Sequence, residues 1–416
     1  MDLRCLLVLA IAGICGIVPL GHATEPLRLE QAIAKALASN PILIAESAQL
    51  RAVEARTQRE GLPPPYIIGG ELENFGGTGT LSGIESAEAT LRIGRVIELG
   101  GKRAARQILG SAEVNQQQNI AVTARIDITS RTTTRFIEVV ADQQRLQYAQ
   151  QRVKQAERTQ REVATWVAAA RNPESDLRAA EIAVAEAELE FEHAEHELAS
   201  AKVTLAASWG VLTPDFDTVY GDLNSLPEVE TFEVLVAKLP LTIEQRATLL
   251  EAETIAAKRR LAESSAKPDI TLSLGVRRLE AYGDQGLILS VAVPLGSKPR
   301  AAYSVTEADA QLASLEARRD ALRFERYQAL FEKYQELNHA RTEVESLRTR
   351  MLPKAEQAQS FTQRGFESGR FSFISLAQAQ STLFNLRERA IEAATRYHML
   401  LVEVNRLTAV TQEITP

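Results

Sequence analysis

The sequence is poor in cysteine, aromatic residues and long apolar runs, and each shortage excludes a class of protein. Two cysteines in 416 residues exclude a disulfide-stapled scaffold and a zinc site built from four cysteines. The 15 prolines and 22 glycines are too few for a collagen-like or low-complexity chain. Aromatic residues make up only 5% of the chain, which is low for one compact core, whereas abundant Ala, Gln, Glu, Arg and Leu are typical of long helices.

Charge and motifs exclude further functions. The net charge of -7, from 47 basic and 54 acidic residues, argues against a protein that binds nucleic acid through its phosphates. The sequence contains no HExxH motif and no nucleophile motif, and its run of Gly76, Gly77, Thr78 and Gly79 lies between strands rather than before a helix. These motifs therefore give no support for a nucleotide-binding loop or a metalloprotease-type active site.

The one long apolar run lies at the N-terminus. It extends from Cys5 to Leu20 and is short for a membrane-spanning helix, which needs about 20 residues. Small residues at Gly21 and Ala23 occupy the positions that a signal peptidase reads. We predict a signal peptide over 1–23; an uncleaved anchor is one alternative, and a lipoprotein at Cys15, after the bulky Ile14, is another.

The rest of the chain consists of two copies of one unit. A heptad seam of apolar residues begins at Leu177 and recurs from Leu376, an offset of 199 residues. The segments 96–100 and 292–296 match at an offset of 196. Two unrelated coiled-coil helices would share the heptad but not the neighbouring elements in the same order. We predict repeat 1 over 24–210, an equatorial linker over 211–240, repeat 2 over 241–410 and a tail over 411–416.

Each repeat is predicted to contain three helices and two strands. Repeat 1 has a helix over 27–61, strands over 66–75 and 87–97, a long helix over 102–171 and a heptad helix over 174–209; repeat 2 has the corresponding elements over 241–266, 269–279, 286–294, 299–365 and 373–409. At about 1.5 Å per residue the long helices are roughly 100 Å long. A first helix and a heptad helix placed end to end have about this length, so the simplest packing sets them in line beside a long helix.

The four strands alternate apolar and polar residues with the period of two that leaves one face apolar. The candidate lipid-facing residues are Leu91, Ile93, Ile270, Leu272, Leu274, Leu287, Leu289 and Val291. Strands of about ten residues have the length of tilted membrane strands, although a small soluble sheet packed on helices shows the same periodicity. Four strands cannot close a barrel, which needs about eight, so the sequence favours an assembly.

Several phrases of this sequence resemble the TolC-type outer-membrane factors. The matching segments are 29–32 followed by Asn40-Pro41, 71–77, 97–103 and 267–270, and the order of elements covers nearly the whole mature chain. The Glu-Leu-Gly-Gly-Lys-Arg phrase at 98–103 is similar to the CzcC-like branch, which serves heavy-metal efflux.

The resemblance implies an α+β membrane protein and a homotrimer. Its four strands per chain would form a twelve-stranded transmembrane β-barrel in contact with outer-membrane lipid, and its helices would form a coiled-coil barrel in the periplasm of a Gram-negative bacterium. The implied function is the exit duct of a tripartite efflux system that exports divalent heavy-metal cations together with a periplasmic adaptor, or membrane fusion protein, and an inner-membrane pump of the RND class. The substrate would pass unaltered, and the resemblance implies no catalytic residues and no cofactor.

The resemblance also assigns roles to the turns that join the long helices to the heptad helices. The implied adaptor-contacting residues are Arg171, Asn172, Gly365, Phe366, Gly369 and Arg370. Ordinary turn chemistry explains the same Gly and Asn-Pro sequences. The implied periplasmic gate consists of Asp176, Ser375 and Gln378; only the first matches the acidic residues that the family commonly places there, so a weaker cation-selective gate is expected.

One pair of histidines is a candidate metal site. His193 and His196 are three residues apart on one predicted helix, with Glu197 close by. A solvated face of a Glu-rich coiled coil gives the same pattern.

Three other functions compete with metal export. Drug or peptide export would use the same kind of duct. A periplasmic coiled-coil adaptor would normally have one helical hairpin and compact β-domains, whereas this chain has two equivalent hairpins. An enzyme on a helical dimer scaffold is the least favoured interpretation.

Overall fold

A computed structural model describes residues 25–410. The predicted signal peptide over 1–23 and the tail over 411–416 lie outside these residues. The helices are α1 (Leu29–Ser39), α2 (Pro41–Glu60), α3 (Lys102–Ala168), α4 (Glu174–Ala206), α5 (Phe232–Lys238), α6 (Ile243–Ser264), α7 (Ser297–Ser346), α8 (Leu352–Glu367) and α9 (Phe373–Leu407). The strands are β1 (Tyr66–Glu73), β2 (Glu88–Ile97), β3 (Ile270–Leu279) and β4 (Asp284–Ala292).

The long helix α3 lies at the centre of a wall of helices. It contacts α2 and α6 along one part of its length and α4 and α9 along the other, while α7 packs on α6 and α9. The short helices stack end to end: the Asn40 side-chain amide donates to the Ser208 carbonyl over 2.7 Å, and the Ile243 amide donates to the Ala409 carbonyl over 3.4 Å. This is the packing that the helix lengths predict.

The first helical segment of repeat 1 differs from the single helix expected over 27–61. It breaks at Asn40, whose backbone is extended, and Asn40 caps the second helix by accepting the Ile42 amide over 2.9 Å. The cause is Pro41, because the proline ring disfavours helical geometry in the residue before it and fits well at the first position of a helix.

The long helix of repeat 2 also differs from the continuous helix expected over 299–365. A π-helical turn at Leu347–Met351 separates α7 from α8. Pro353 is the second residue of α8. A proline lacks an amide hydrogen and its ring clashes with the carbonyl four residues earlier, here in Thr349, and a wider turn relieves this conflict.

The core lies at the equator of the chain, where 207–240 wraps around the helices. Leu27 pairs with Val219, and the largest buried cluster collects side chains from α3, α4, α9 and this segment. The segment predicted as a linker over 211–240 therefore contains the short helix α5 and packs as part of the body. Buried polar groups also lie here: burial lowers the pKa of His398 and raises the pKa of Asp142, an effect partly offset by Arg145.

The four strands form one antiparallel sheet in the order β1-β2-β3-β4. The central pair, β2 and β3, comes from different repeats, and β1 and β4 are its two edges. The ends of the strands nearest to Tyr66, Ile97, Ile270 and Ala292 adjoin the helices, and the hairpin loops lie at the opposite end. None of the helices within residues 25–410 combines the length and the apolar character needed to cross a membrane.

Candidate functional site

The sheet has one almost wholly apolar face. The register aligns Leu91 with Val276 and Leu287 on this face, and Ile93 with Leu274 and Leu289 beside them. Strand residues that are paired directly point to the same side of an antiparallel sheet. All eight residues predicted to face lipid therefore lie on one face of the sheet. The apolar side chains of the edge strand β4 on this face are strongly exposed in the single chain; Leu287, for example, is 81% exposed.

The opposite face carries charged side chains that form ion pairs. Arg277 donates to Glu88 over 2.8 Å, to Glu73 over 3.0 Å and to the Thr90 hydroxyl over 3.0 Å. Arg92 lies 3.5 Å from Glu71 on the same face. The sheet thus separates an apolar surface from a charged one, as a wall between lipid and water requires.

This charged network is not apparent from the sequence. Alternation places Arg277 and Glu88 on polar faces of their own strands, but their contact depends on the pairing of β2 with β3, across 189 residues of chain. The alternation within each strand therefore shows that Arg277 and Glu88 lie on a polar face. Which residue pairs with which depends on the register of the two strands.

The junction segments 97–103 and 267–270 meet in space where the sheet joins the helices. Arg106 donates to both oxygens of Glu98, over 2.5 and 2.9 Å, and this hydrogen bond lowers the pKa of the Glu98 carboxyl. Lys102 donates to Asp269 over 2.5 Å. Gly100 has a positive φ of 83°, and its α-carbon approaches the Ser264 carbonyl so closely that a side chain would collide with it.

The tip of the second hairpin is packed rather than open. Phe366 is fully buried and stacks on Trp166 with ring centroids 4.5 Å apart. Gly365 is also buried, and a β-carbon there would collide with the ring of Phe371. In this conformation Gly365 and Phe366, which the resemblance assigns to the adaptor contact, are both covered by the chain itself, and their contact with an adaptor stays a prediction.

The other four residues of the predicted tip remain accessible. Arg171, Gly369 and Arg370 are exposed and Asn172 is half-buried. Val163 and Ala180 from repeat 1 share one buried cluster with Phe366, Phe373 and Leu376 from repeat 2. The two hairpin tips are consequently held together as one unit.

The predicted gate residues lie at the first turns of the two heptad helices. Asp176 is half-buried at the start of α4 and accepts a hydrogen bond from the Asn172 amide over 2.8 Å. Ser375 is exposed at the start of α9, where its amide donates to the Ser372 hydroxyl over 3.3 Å. Gln378 is exposed one turn further along the same helix. Asp176 is the acidic member of the three predicted gate residues; Glu174, which pairs with Arg178 over 2.8 Å, is a second carboxylate in the first turn of α4.

The two candidate metal-binding histidines do not converge. His193 reaches forward to Glu197 at 3.2 Å, and His196 reaches back to Glu192 at 3.5 Å. Both side chains are more than 70% exposed. Within the described part of the chain, no group of three or more His, Cys, Asp or Glu side chains is placed to hold a metal ion. The geometry favours a solvated helix face.

Comparison with solved structures defines the class of this fold. The outer membrane protein VceC of Vibrio cholerae matches with a TM-score of 0.73 over 92% of this chain and 96% of that chain, at 16% identity. CusC, whose structures concern transmembrane channel formation, matches with a TM-score of 0.76 over 91% of both chains, at 13% identity. The outer membrane channel MtrE of Neisseria gonorrhoeae matches with a TM-score of 0.75 over 92% and 88%, at 14% identity. The chain has the fold of outer-membrane channels, which confirms the predicted fold class.

Among individual proteins, the chain is similar to the cobalt-zinc-cadmium resistance protein CzcC of Cupriavidus metallidurans. The two are 29% identical over 391 residues, which cover 93% of this chain and 91% of CzcC. The resemblance to the heavy-metal branch that the sequence phrases predicted is confirmed. No family model matches the chain.

Proposed function

We propose that the protein is the outer-membrane exit duct of a tripartite RND-type system that exports divalent heavy-metal cations. The observation that carries the proposal is the full-length similarity to a cobalt-zinc-cadmium resistance protein in a chain whose sheet separates an apolar face from a charged one. The protein conducts its substrate without changing it and has no enzymatic activity or cofactor. The helical body lies in the periplasm of a Gram-negative bacterium.

The working unit is a homotrimer. Strands β1 and β4 each have one unpaired edge, and unpaired backbone groups are costly in lipid. Three copies joined edge to edge supply twelve strands, enough to close a barrel. The helical wall has free sides as well: Leu189 on α4 and Phe324 on α7 are each more than 60% exposed, and burying them between copies would stabilise the trimer.

The charged face of the sheet then lines the water-filled passage. Glu71, Glu73 and Glu88 supply carboxylates there, and their arginine partners hold them in fixed positions. Paired and partly exposed groups of this kind make weak, transient contacts with hydrated cations, which suits passage better than tight binding.

The hairpin tips meet the periplasmic adaptor, which links the duct to the inner-membrane pump. Arg171, Asn172, Gly369 and Arg370 are the accessible residues that would contact the adaptor. Asp176, Ser375 and Gln378 lie just beside them and form the gate. The buried pair Gly365 and Phe366 supports this surface from within.

Deletion of the gene in its host tests the metal assignment. We expect greater sensitivity to one or more of zinc, cobalt, cadmium, nickel and copper, restored by the wild-type gene, with unchanged sensitivity to a panel of drugs. Sensitivity to drugs or peptides without a change for any metal would instead support the alternative duct. Separation of the membranes tests location: a freely soluble monomer would contradict the duct and favour a periplasmic adaptor.

A further inference from the structure

A cavity of about 580 Å³ opens on the apolar face of the sheet, at the end that adjoins the helices. Its walls combine apolar side chains from β2 and β3 with the residues just before β1; the lining includes Pro63, Tyr66, Ile93, Leu272, Leu274 and Arg95. The cavity lies over the central strands β2 and β3 and extends to Tyr66, the first residue of the edge strand β1. Its volume is in the range of sites that hold small molecules.

Arg95 differs from every other arginine of the strands. Arg92, Arg277 and Arg278 each form an ion pair with a glutamate within 3.5 Å. Arg95 has no acidic partner within residues 25–410: its guanidinium donates to the Tyr66 hydroxyl over 3.3 Å and lies 5.0 Å from the centre of that ring. The register sets it between Tyr66 and Leu272, on the apolar face.

A second guanidinium lines the same cavity from the start of α3. Arg103 donates its Nε hydrogen to the Gly61 carbonyl over 2.6 Å and forms no ion pair within the described residues. The one carboxylate of the lining, Glu98, is already bound at both oxygens by Arg106. The polar end of the cavity therefore has two cations without a matching anion.

We propose that this cavity binds the phosphate headgroup of an anionic glycerophospholipid, with the acyl chains lying along the apolar face. Arg95 and Arg103 are placed to bind the phosphodiester, because guanidinium groups donate paired hydrogen bonds to phosphate oxygens. Ile93, Leu272 and Leu274 continue the cavity toward the middle of the strands, where acyl chains would lie. Tyr66 occupies the headgroup level at which amphipathic aromatic rings collect.

The position of Arg95 in β2 indicates which leaflet of the membrane would supply the lipid. Arg95 lies two residues before the end of β2 that leads into α3, so its charge is about 7 Å from the helical end of the sheet. The inference rests on the proposed function, in which that end faces the periplasm. The lipid is accordingly one of the periplasmic leaflet, and it would hold the sheet at a fixed depth.

Native mass spectrometry of the detergent-purified, assembled protein tests the site by titration with phosphatidylglycerol. We expect the Arg95→Gln variant to bind this lipid roughly tenfold more weakly, the loss expected from one charge-assisted hydrogen bond. Arg92→Gln, in the same strand but on the charged face, is the matched control and should bind as the wild type does. Diacylglycerol with the same acyl chains should bind weakly to all three proteins.

Several results would overturn the lipid site. Equal phosphatidylglycerol binding by wild type and Arg95→Gln, or an equal loss in Arg92→Gln, would show that the guanidinium is not the contact. A further such result is that inorganic phosphate displaces phosphatidylglycerol completely and binds as tightly as the lipid does. That result would show a site for anions rather than a site for lipid. Recovery of the wild-type protein outside the outer membrane would instead contradict the proposed function, whereas unchanged binding in a correctly located trimer contradicts only the lipid site.

Discussion

The two repeats share an order of elements but occupy different places in the wall of helices. α3 has neighbours on both sides and buries 14 of its 67 residues. α7 packs on α6, α9 and the short helix α5, and it buries seven of its 50 residues, in a narrow stripe that includes Ala301, Ala308 and Leu315 at intervals of seven. The same helical pattern thus gives an interior helix in one repeat and an edge helix in the other.

The difference teaches that a heptad pattern specifies a helix with an apolar stripe but not how many partners cover it. The exposed aromatic residues of α7, among them Tyr303 and Phe324, mark the side on which the proposed trimer would add a neighbour. The two strand-to-helix junctions also differ. In repeat 1, Glu98 pairs with Arg106, and Lys102 pairs with Asp269 of repeat 2, whereas repeat 2 has Pro294 at the position that matches Glu98.

The largest expected effect compares equivalent seam residues at the two tips. Leu376 is fully buried and Leu177 only half-buried in the same cluster. Leu376→Ala should cost about 2–5 kcal/mol of local stability through lost burial and a residual cavity, and Leu177→Ala clearly less. Hydrogen exchange of the tip amides measures both local opening free energies. Equal losses would contradict the unequal burial of the two repeats.

An intermediate effect is expected at the gate, where repeat 1 has Asp176 and repeat 2 has Ser375 at the matching position. Asp176→Asn should lower the cation-to-anion permeability ratio, because it removes one of the two carboxylates in the first turn of α4, and Gln378→Asp should raise the ratio. Reversal potentials of single channels in planar bilayers under a salt gradient measure the ratio. Unchanged selectivity in both variants would contradict the gate assignment.

The smallest expected effect concerns the junction of repeat 1. Arg106 lowers the pKa of Glu98 from its ordinary value of 4.5, so the pair stabilises the folded protein above that pH. This stabilisation is lost as the pH falls through the lower folded pKa. Glu98→Gln should therefore lower the melting temperature at pH 7, and the difference from wild type should vanish in acid. A difference that persisted at a pH low enough to protonate Glu98 in the folded protein would show that the pair acts by packing rather than by charge.

Much of the fold could be predicted from the chain because its signals are local. The heptad seams from Leu177 and Leu376 depend on residues three and four apart, and the alternation around Leu274 depends on residues two apart. The breaks at Asn40 and before Pro353 follow proline chemistry that the sequence displays, but a continuous apolar pattern led us to expect an unbroken helix over 27–61 and another over 299–365.

The candidate site was predicted less completely because its contacts join distant parts of the chain. The sequence places Phe366 in the turn at the hairpin tip. The sequence does not show that Trp166 of the other repeat stacks on its ring. The proximity of His193 and His196 in sequence suggested a shared ligand set, but each imidazole pairs with a different glutamate along the helix. Spacing along the sequence does not fix the direction of a side chain. That direction determines whether Phe366 is covered and whether the two imidazoles converge.

The sequence by itself determined the repeat, the long helices and the apolar alternation of the strands, since each follows from interactions within a few residues. Only the tertiary structure decided that β2 pairs with β3. That register gives Arg277 two glutamate partners, and it leaves Arg95 among apolar neighbours with none. The physical reason is that pairing energy depends on which strands meet and in what register, and a shift of one residue would exchange the two faces of the sheet.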